Sequence, residues 1–232
     1  MALHPMSTVP HVIAELPSLQ GGSMTVGDYL PRGHVSYARV MNPMHDDNGQ
    51  PLAWWTFAAE QSEVDATTKW TDLNVGAREV NRTIGTIEPG VAATLARLLR
   101  THTSAPTECF FLVWERYAGM RDDLRDTASI KILPGRKVLI LAGDLADGAE
   151  PFEGMANGRS AQWWMPADGV WAVGNDLYGA SVYVSGTEEL ITAISPPTTS
   201  RHTVRQHRCR SSPKSGPLSS LRSLAPFPIG NA

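Results

Sequence analysis

Apolar and polar residues are patterned most sharply over Cys109–Tyr117, CFFLVWERY. Phe111, Val113, Glu115 and Tyr117 share one face of an extended segment, and Phe110, Leu112, Trp114 and Arg116 share the other. Both faces begin apolar, which predicts a central strand covered on both sides. Just upstream, Val91, Leu95, Leu98 and Leu99 recur at helical spacing. Pro89 lies in the first turn of that stretch, and Arg97 and Arg100 suit its carboxyl half, so a helix is predicted over Glu88–Thr101. His34–Met41 alternates less cleanly and reads as a strand stopped by Asn42–Pro43. Pro51 then suits a helix start, and Leu52–Gln61 is predicted as a short helix docked by Trp54, Trp55 and Ala58.

The remaining pattern is punctuated by turns. Residues 62–86 have no clear period and read as a long loop with one short strand at most. Ala118–Asp126 is a charged connection. Ser129–Leu133 and Lys137–Ala142 flank Pro134–Gly135, which fits a type II turn and predicts an antiparallel hairpin. Gly143–Ser160 is rich in small and acidic residues and reads as a loop. Gly169–Val173 and Ser181–Val184 are two short strands joined around Gly174–Asn175–Asp176 and Gly179. Thr187–Ile194 is a helix, with Thr187 as cap and Glu188 and Glu189 in its first turn.

Strands joined by tight turns point to an α+β fold, a mostly antiparallel sheet with two or three packed helices. The domain is expected over residues 24–195, after a flexible leader at 1–23 broken by Pro5, Pro10, Pro17 and Gly21–Gly22. The chain has 232 residues, 42% hydrophobic, enough for one buried core. It carries neither a basic apolar leader of secretory type nor an apolar run of membrane-spanning length, so no membrane is expected and a cytoplasmic location is. Cys109 and Cys209 read as two free thiols.

Charge changes the picture of the carboxyl end. The chain's net charge is −3, yet its last acid is Glu189. Residues 1–195 carry 14 basic and 23 acidic groups, and six basic groups with no acid follow. The stretch 196–232, rich in Ser and Pro, is expected to be a disordered basic tail. Two readings of it stand side by side. One is a basic arm for nucleic acid through residues 201–222; the other is an unselected, frameshifted reading frame. The acidic body itself offers nucleic acid no footprint.

Candidate chemistry is sparse. No Walker-type phosphate loop, dinucleotide fingerprint, nucleophile elbow or zinc spacing is present, so no cofactor and no metal are expected. Glu115, among Trp114 and Arg116, would be a general acid or base on burial. Asp168 and Asp176 flank the Trp171 strand and raise a paired-carboxylate reading, against that of ordinary turn residues. His34 and His45 bracket the first strand beside Asp46 and Asp47 without visible convergence. The tryptophans either pack the core or line a pocket or partner face, and adjacent Trp163 and Trp164 point to opposite sides of a strand. The candidate binding residues are thus Trp114, Glu115, Trp163, Trp164, Asp176 and Tyr183.

GHVSYARVMNP, the LPGRKVLILAG turn and the WWMPADGVWAV block with its later YVSG resemble a family of uncharacterised bacterial proteins of about 200 residues. The resemblance covers approximately residues 27–194 and implies a single cytoplasmic domain with no transferable activity. The expected function is a non-enzymatic binding or regulatory protein, immunity-like or partner-binding, with an unknown protein or small-molecule partner. The alternative is a small-molecule enzyme using a carboxylate in a Trp-lined pocket.

Overall fold

The structure is a computed structural model that describes residues 3–14, 16, 30–31, 33–58, 64–65, 67–75, 80–117, 124, 127–133, 136–150, 159–195 and 221–224. In chain order the elements are β1 (His4–Pro5), α1 (His11–Ala14), β2 (Ser36–Met41), β3 (Met44–His45), β4 (Pro51–Leu52) and β5 (Asn81–Arg82). Then follow α2 (Pro89–Leu99), β6 (Cys109–Trp114), β7 (Ser129–Leu133), β8 (Arg136–Gly143), α3 (Leu145–Ala149) and β9 (Trp163–Pro166). The chain continues through β10 (Ala172–Asn175), β11 (Ser181–Gly186), α4 (Glu188–Ile194) and β12 (Leu221–Leu224).

The fold is α+β. The main sheet runs β1-β8-β6-β9-β10-β11-β2-β12, with β7 also on β8, and every pairing but β2–β12 is antiparallel. β3, β4 and β5 form a small second sheet. The inner position expected for the CFFLVW strand is found, because β6 lies between β8 and β9. Its odd residues Cys109, Phe111 and Val113 enter one core with α2, α3 and α4, together with Trp164, Trp171 and Leu95. Its even residue Leu112 enters a second core on the other face, with Ile13, Trp163 and Ile140. A third cluster, Met41, Met44, Trp54 and Phe57, sits beside the small sheet.

The second core overturns the expectation of a loose leader over its described part. β1 pairs with β8 through His4↔Ala142 and Pro5↔Leu141. Met6 N donates to the Ile140 carbonyl at 3.0 Å, and Ile13 is fully buried. Without this segment the apolar face bearing Leu112 and Trp163 would meet water.

Four further expectations are corrected. Leu52–Gln61 is not an α-helix over its described residues. Pro51–Leu52 joins the small sheet, and only Trp54–Phe57 makes a 3-10 turn without a side-chain cap. Trp54 Nε1 donates to the Asn42 carbonyl at 2.9 Å and pins that turn, so tertiary docking overrides local propensity. The predicted loop at Gly143–Ser160 contains α3, capped by Asp144 accepting from Ala146 N. Trp163–Pro166 is a strand of its own. The strand placed at Gly169–Val173 is instead Ala172–Asn175, because Asp168–Gly169 forms the β9–β10 turn with Gly169 at φ +65°.

Elsewhere the pattern reading holds. α2 carries Pro at its start and a Glu88 cap accepting from Val91 N. β7 and β8 form the expected antiparallel hairpin, and α4 is capped by Thr187. The Pro134–Gly135 turn lies outside the described residues, as do most of Ala118–Asp126 and of the tail, whereas the described part of 62–86 is loop with one 3-10 turn at Trp70–Asp72 and the short strand β5. Of the tail, Leu221–Leu224 is a parallel edge strand beside β2.

Candidate functional site

The end of the main sheet where β6 stops and β8 and β9 start gathers a buried polar network. Two loop segments meet there. Gly85 N donates to the Gly179 carbonyl at 3.1 Å, joining the segment before α2 to the β10–β11 turn. Gly85 has φ +68°, and a Cβ on it would overlap the Leu177 carbonyl, so the junction requires glycine. Tyr117, buried just past β6, donates its hydroxyl to the Gly85 carbonyl. Gln162, fully buried before β9, donates Nε2 to the same carbonyl and to the Tyr117 hydroxyl, while its Oε1 accepts from Trp114 N at 3.1 Å.

Asn42 and Asn175 extend the network. Both donate Nδ2 to the Thr86 carbonyl, at 2.8 and 2.7 Å. Asn42 Oδ1 accepts from Glu88 N at 3.0 Å, tying α2 to the end of β2. Ser160 Oγ accepts from Ile87 N at 3.2 Å. Such a network holds loops without regular structure in one arrangement, because each buried group abandoned by its partner would be costly.

Charged and aromatic groups lie over this base. The Arg159 guanidinium stands 4.7 Å from the Tyr117 ring centroid. Burial pushes the Tyr117 hydroxyl up to about 12, with Arg159 pulling the other way, so the phenol stays protonated as a donor. Arg136 Nη1 bonds Asp176 Oδ1 at 2.9 Å, and both side chains are largely covered. The same guanidinium lies 5.5 Å from the Tyr178 ring. Tyr178 is 73% exposed, and Ile84, next to Gly85, is 36% exposed.

Three of the six residues singled out from the sequence belong to this end. Trp114 is half-buried and packs edge-to-face on Tyr117 at 5.5 Å. Glu115 is half-exposed and bonded to Lys137 Nζ at 3.2 Å, so it is no buried acid among aromatics. Asp176 is the partner of Arg136. The others lie elsewhere. Trp163 and Trp164 do point to opposite faces, but each is buried in a different core, so neither is exposed. Tyr183 is half-buried against the second core, opposite Arg39 of β2. Tryptophans therefore do not bring a carboxylate into a shared pocket among the described residues.

The paired-carboxylate reading fails on topology. Asp168 is in the β9–β10 turn and Asp176 in the β10–β11 turn, at opposite ends of β10. Asp168 instead accepts from Thr103 Oγ1, Ser104 N and Ser104 Oγ at 2.8–2.9 Å. His34 and His45 do not converge either. His34 bonds Ser185 Oγ at 2.6 Å and the Gly169 carbonyl at 2.9 Å, whereas His45 pairs with Asn81 and Pro51 in the small sheet. No group of three or more His, Cys, Asp or Glu side chains that could hold a metal ion occurs among the described residues. No helix among them is long and apolar enough to cross a membrane.

Sequence reasoning missed Tyr117, Arg136, Arg159, Gln162 and Tyr178. Only the polar turn NDLYG hinted at an exposed aromatic. The others are brought together by pairings 40 or more residues apart, such as Arg136 with Asp176. No family model matches the chain, and neither a curated protein nor a solved structure matches it.

Proposed function

We propose that this chain is a non-catalytic binding domain of the immunity or partner-binding type, docking a protein partner through the sheet end that carries Tyr178, Ile84, Arg136 and Arg159. The observation that carries this reading is Tyr178, 73% exposed yet set beside an arginine that Asp176 fixes in place. Tyr and Arg are the side chains that most often dominate interface energetics. A pre-positioned pair loses little freedom on binding, which favours affinity. The glycine-locked junction beneath it supplies rigidity. The acidic carboxylates nearby are engaged in ion pairs, Glu115 with Lys137 and Asp176 with Arg136, as suits a scaffold more than an acid–base site. A cytoplasmic location and the resemblance to uncharacterised bacterial proteins are part of the same proposal; the buried free thiol of Cys109 accords with a reducing compartment.

The test compares wild type with the double variant Tyr178→Ala, Ile84→Asp as bait in host extract. A specific protein retained by wild type and lost by the variant, with unchanged thermal melting, is the expected result. Equal retention by both baits would overturn the assignment of this face.

A further inference from the structure

At the opposite end of the sheet lies a second feature that the partner-binding reading does not use. A cleft of about 510 Å³ opens between the amino-terminal segment and the β9–β10 turn. Phe110 of β6, Val12 and Pro31 give it apolar lining beside the almost fully buried Met165 of β9, His11 and His34 add two imidazoles, and the exposed Asp168 lies with Gly169 at its end. The volume falls in the range of small-molecule sites, which combine apolar walls with a few polar groups.

Construction of the cleft depends on an unusual junction. Gly169 has φ +65°, and a Cβ there would stand 3.0 Å from Val12 Cγ2, so the leader seats directly on the turn. His34 occupies the far side with both ring nitrogens engaged. The Gly169 carbonyl can only accept, so Nε2 carries a proton, and in the neutral ring Nδ1 accepts from the Ser185 hydroxyl. Burial favours the neutral ring over the imidazolium at this position.

Asp168 supplies the charge. Its Oδ2 is saturated by three donors from Thr103 and Ser104, which hold the carboxylate rigidly. Among the described residues Oδ1 accepts a single long contact, from Val170 N at 3.4 Å, and Asp168 is exposed. No lysine or arginine lines the cleft among the described residues; its basic side chains are the imidazoles of His11 and His34. A fixed carboxylate at the end of a cleft lined by Phe110, Val12 and Pro31, with no lysine or arginine beside it, has the complementarity of an ammonium group on an apolar body.

We propose that this cleft is a binding site for a small organic cation, a primary amine whose ammonium group meets Asp168 Oδ1 while its apolar part lies against Phe110, Val12 and Pro31, next to the buried Met165. The site is separate from the Tyr178 face and stands or falls independently of it.

Three probes of one shape decide it: phenethylamine, 2-phenylethanol and phenylacetate, titrated while the Met165 methyl signal is followed by NMR in ¹³C-methionine-labelled protein. The amine is expected to shift that signal saturably and to bind about tenfold tighter than the alcohol, a charge-assisted bond's worth of discrimination. Phenylacetate is expected not to bind. Asp168→Asn should remove the amine's advantage, and Val12→Trp should block all three probes by filling the cleft from its rim. Equal binding of amine and alcohol, no shift at Met165, or amine binding that survives Val12→Trp would each overturn the proposal. Because Val12→Trp keeps Asp168 itself, a folding defect in Asp168→Asn does not remove the test.

Discussion

Gly85 is the residue on which the proposed binding face most depends. Its left-handed backbone and its contact with the Leu177 carbonyl exclude a side chain. Gly85→Ala is therefore expected to destabilise the fold by about 2 kcal/mol or more, from strain and displacement together. Urea unfolding measures this, and a change below about 0.5 kcal/mol would contradict the junction described. His34 gives a pH signature. Burial lowers its pKa below 6.5 in the folded state, opposed in part by the Gly169 carbonyl. The unfolded chain thus takes up the proton first as pH falls. Stability from this group is complete above about 6.5 and is lost as pH drops through the lower, folded value. Asp168, whose hydrogen bonds outweigh burial and hold it below 3.8, titrates in a separate and more acidic window. Denaturation midpoints between pH 7 and 5 should decline in wild type and less so in His34→Gln; parallel declines would contradict this role.

At the scale of elements, the leader is a structural layer over its described part. Ile13 is fully buried in the second core. Ile13→Ala should cost about 2–5 kcal/mol, as for other core aliphatics, whereas a loose leader would give almost no change. Elements with a local signature were legible from sequence. β6 announced itself by two apolar faces, α2 by Pro89 and its stripe, and α4 by Thr187 with two glutamates. Elements that depend on distant partners were not. β9 was hidden because Trp163–Trp164 read as a possible surface, when a covered sheet buries both. The helix predicted at Leu52–Gln61 gave way to one turn pinned by Asn42, ten residues before its start. The Asp144 cap of α3 was readable, but a loop rich in glycine and alanine concealed it.

For the whole molecule, a sheet covered on both faces leaves function to its two ends. Trp114, Glu115 and Asp176 were picked out by residue type and do lie at the proposed binding end. The side chains that give that end its character come from segments far apart in sequence, so no local pattern could assemble them. The sequence-level choice between a binding module and a carboxylate enzyme turns there on geometry. Glu115 and Asp176 are each ion-paired, while Tyr178 stands out from a rigid base. The most direct measurement is site-specific photocrosslinking in the native host, with Tyr178→p-benzoylphenylalanine and, as a control, Ala193→p-benzoylphenylalanine on the exposed side of α4. A discrete covalent adduct with one protein at position 178 and none at 193 is the predicted result. No adduct at 178, or the same adducts at both positions, would contradict partner binding through this end.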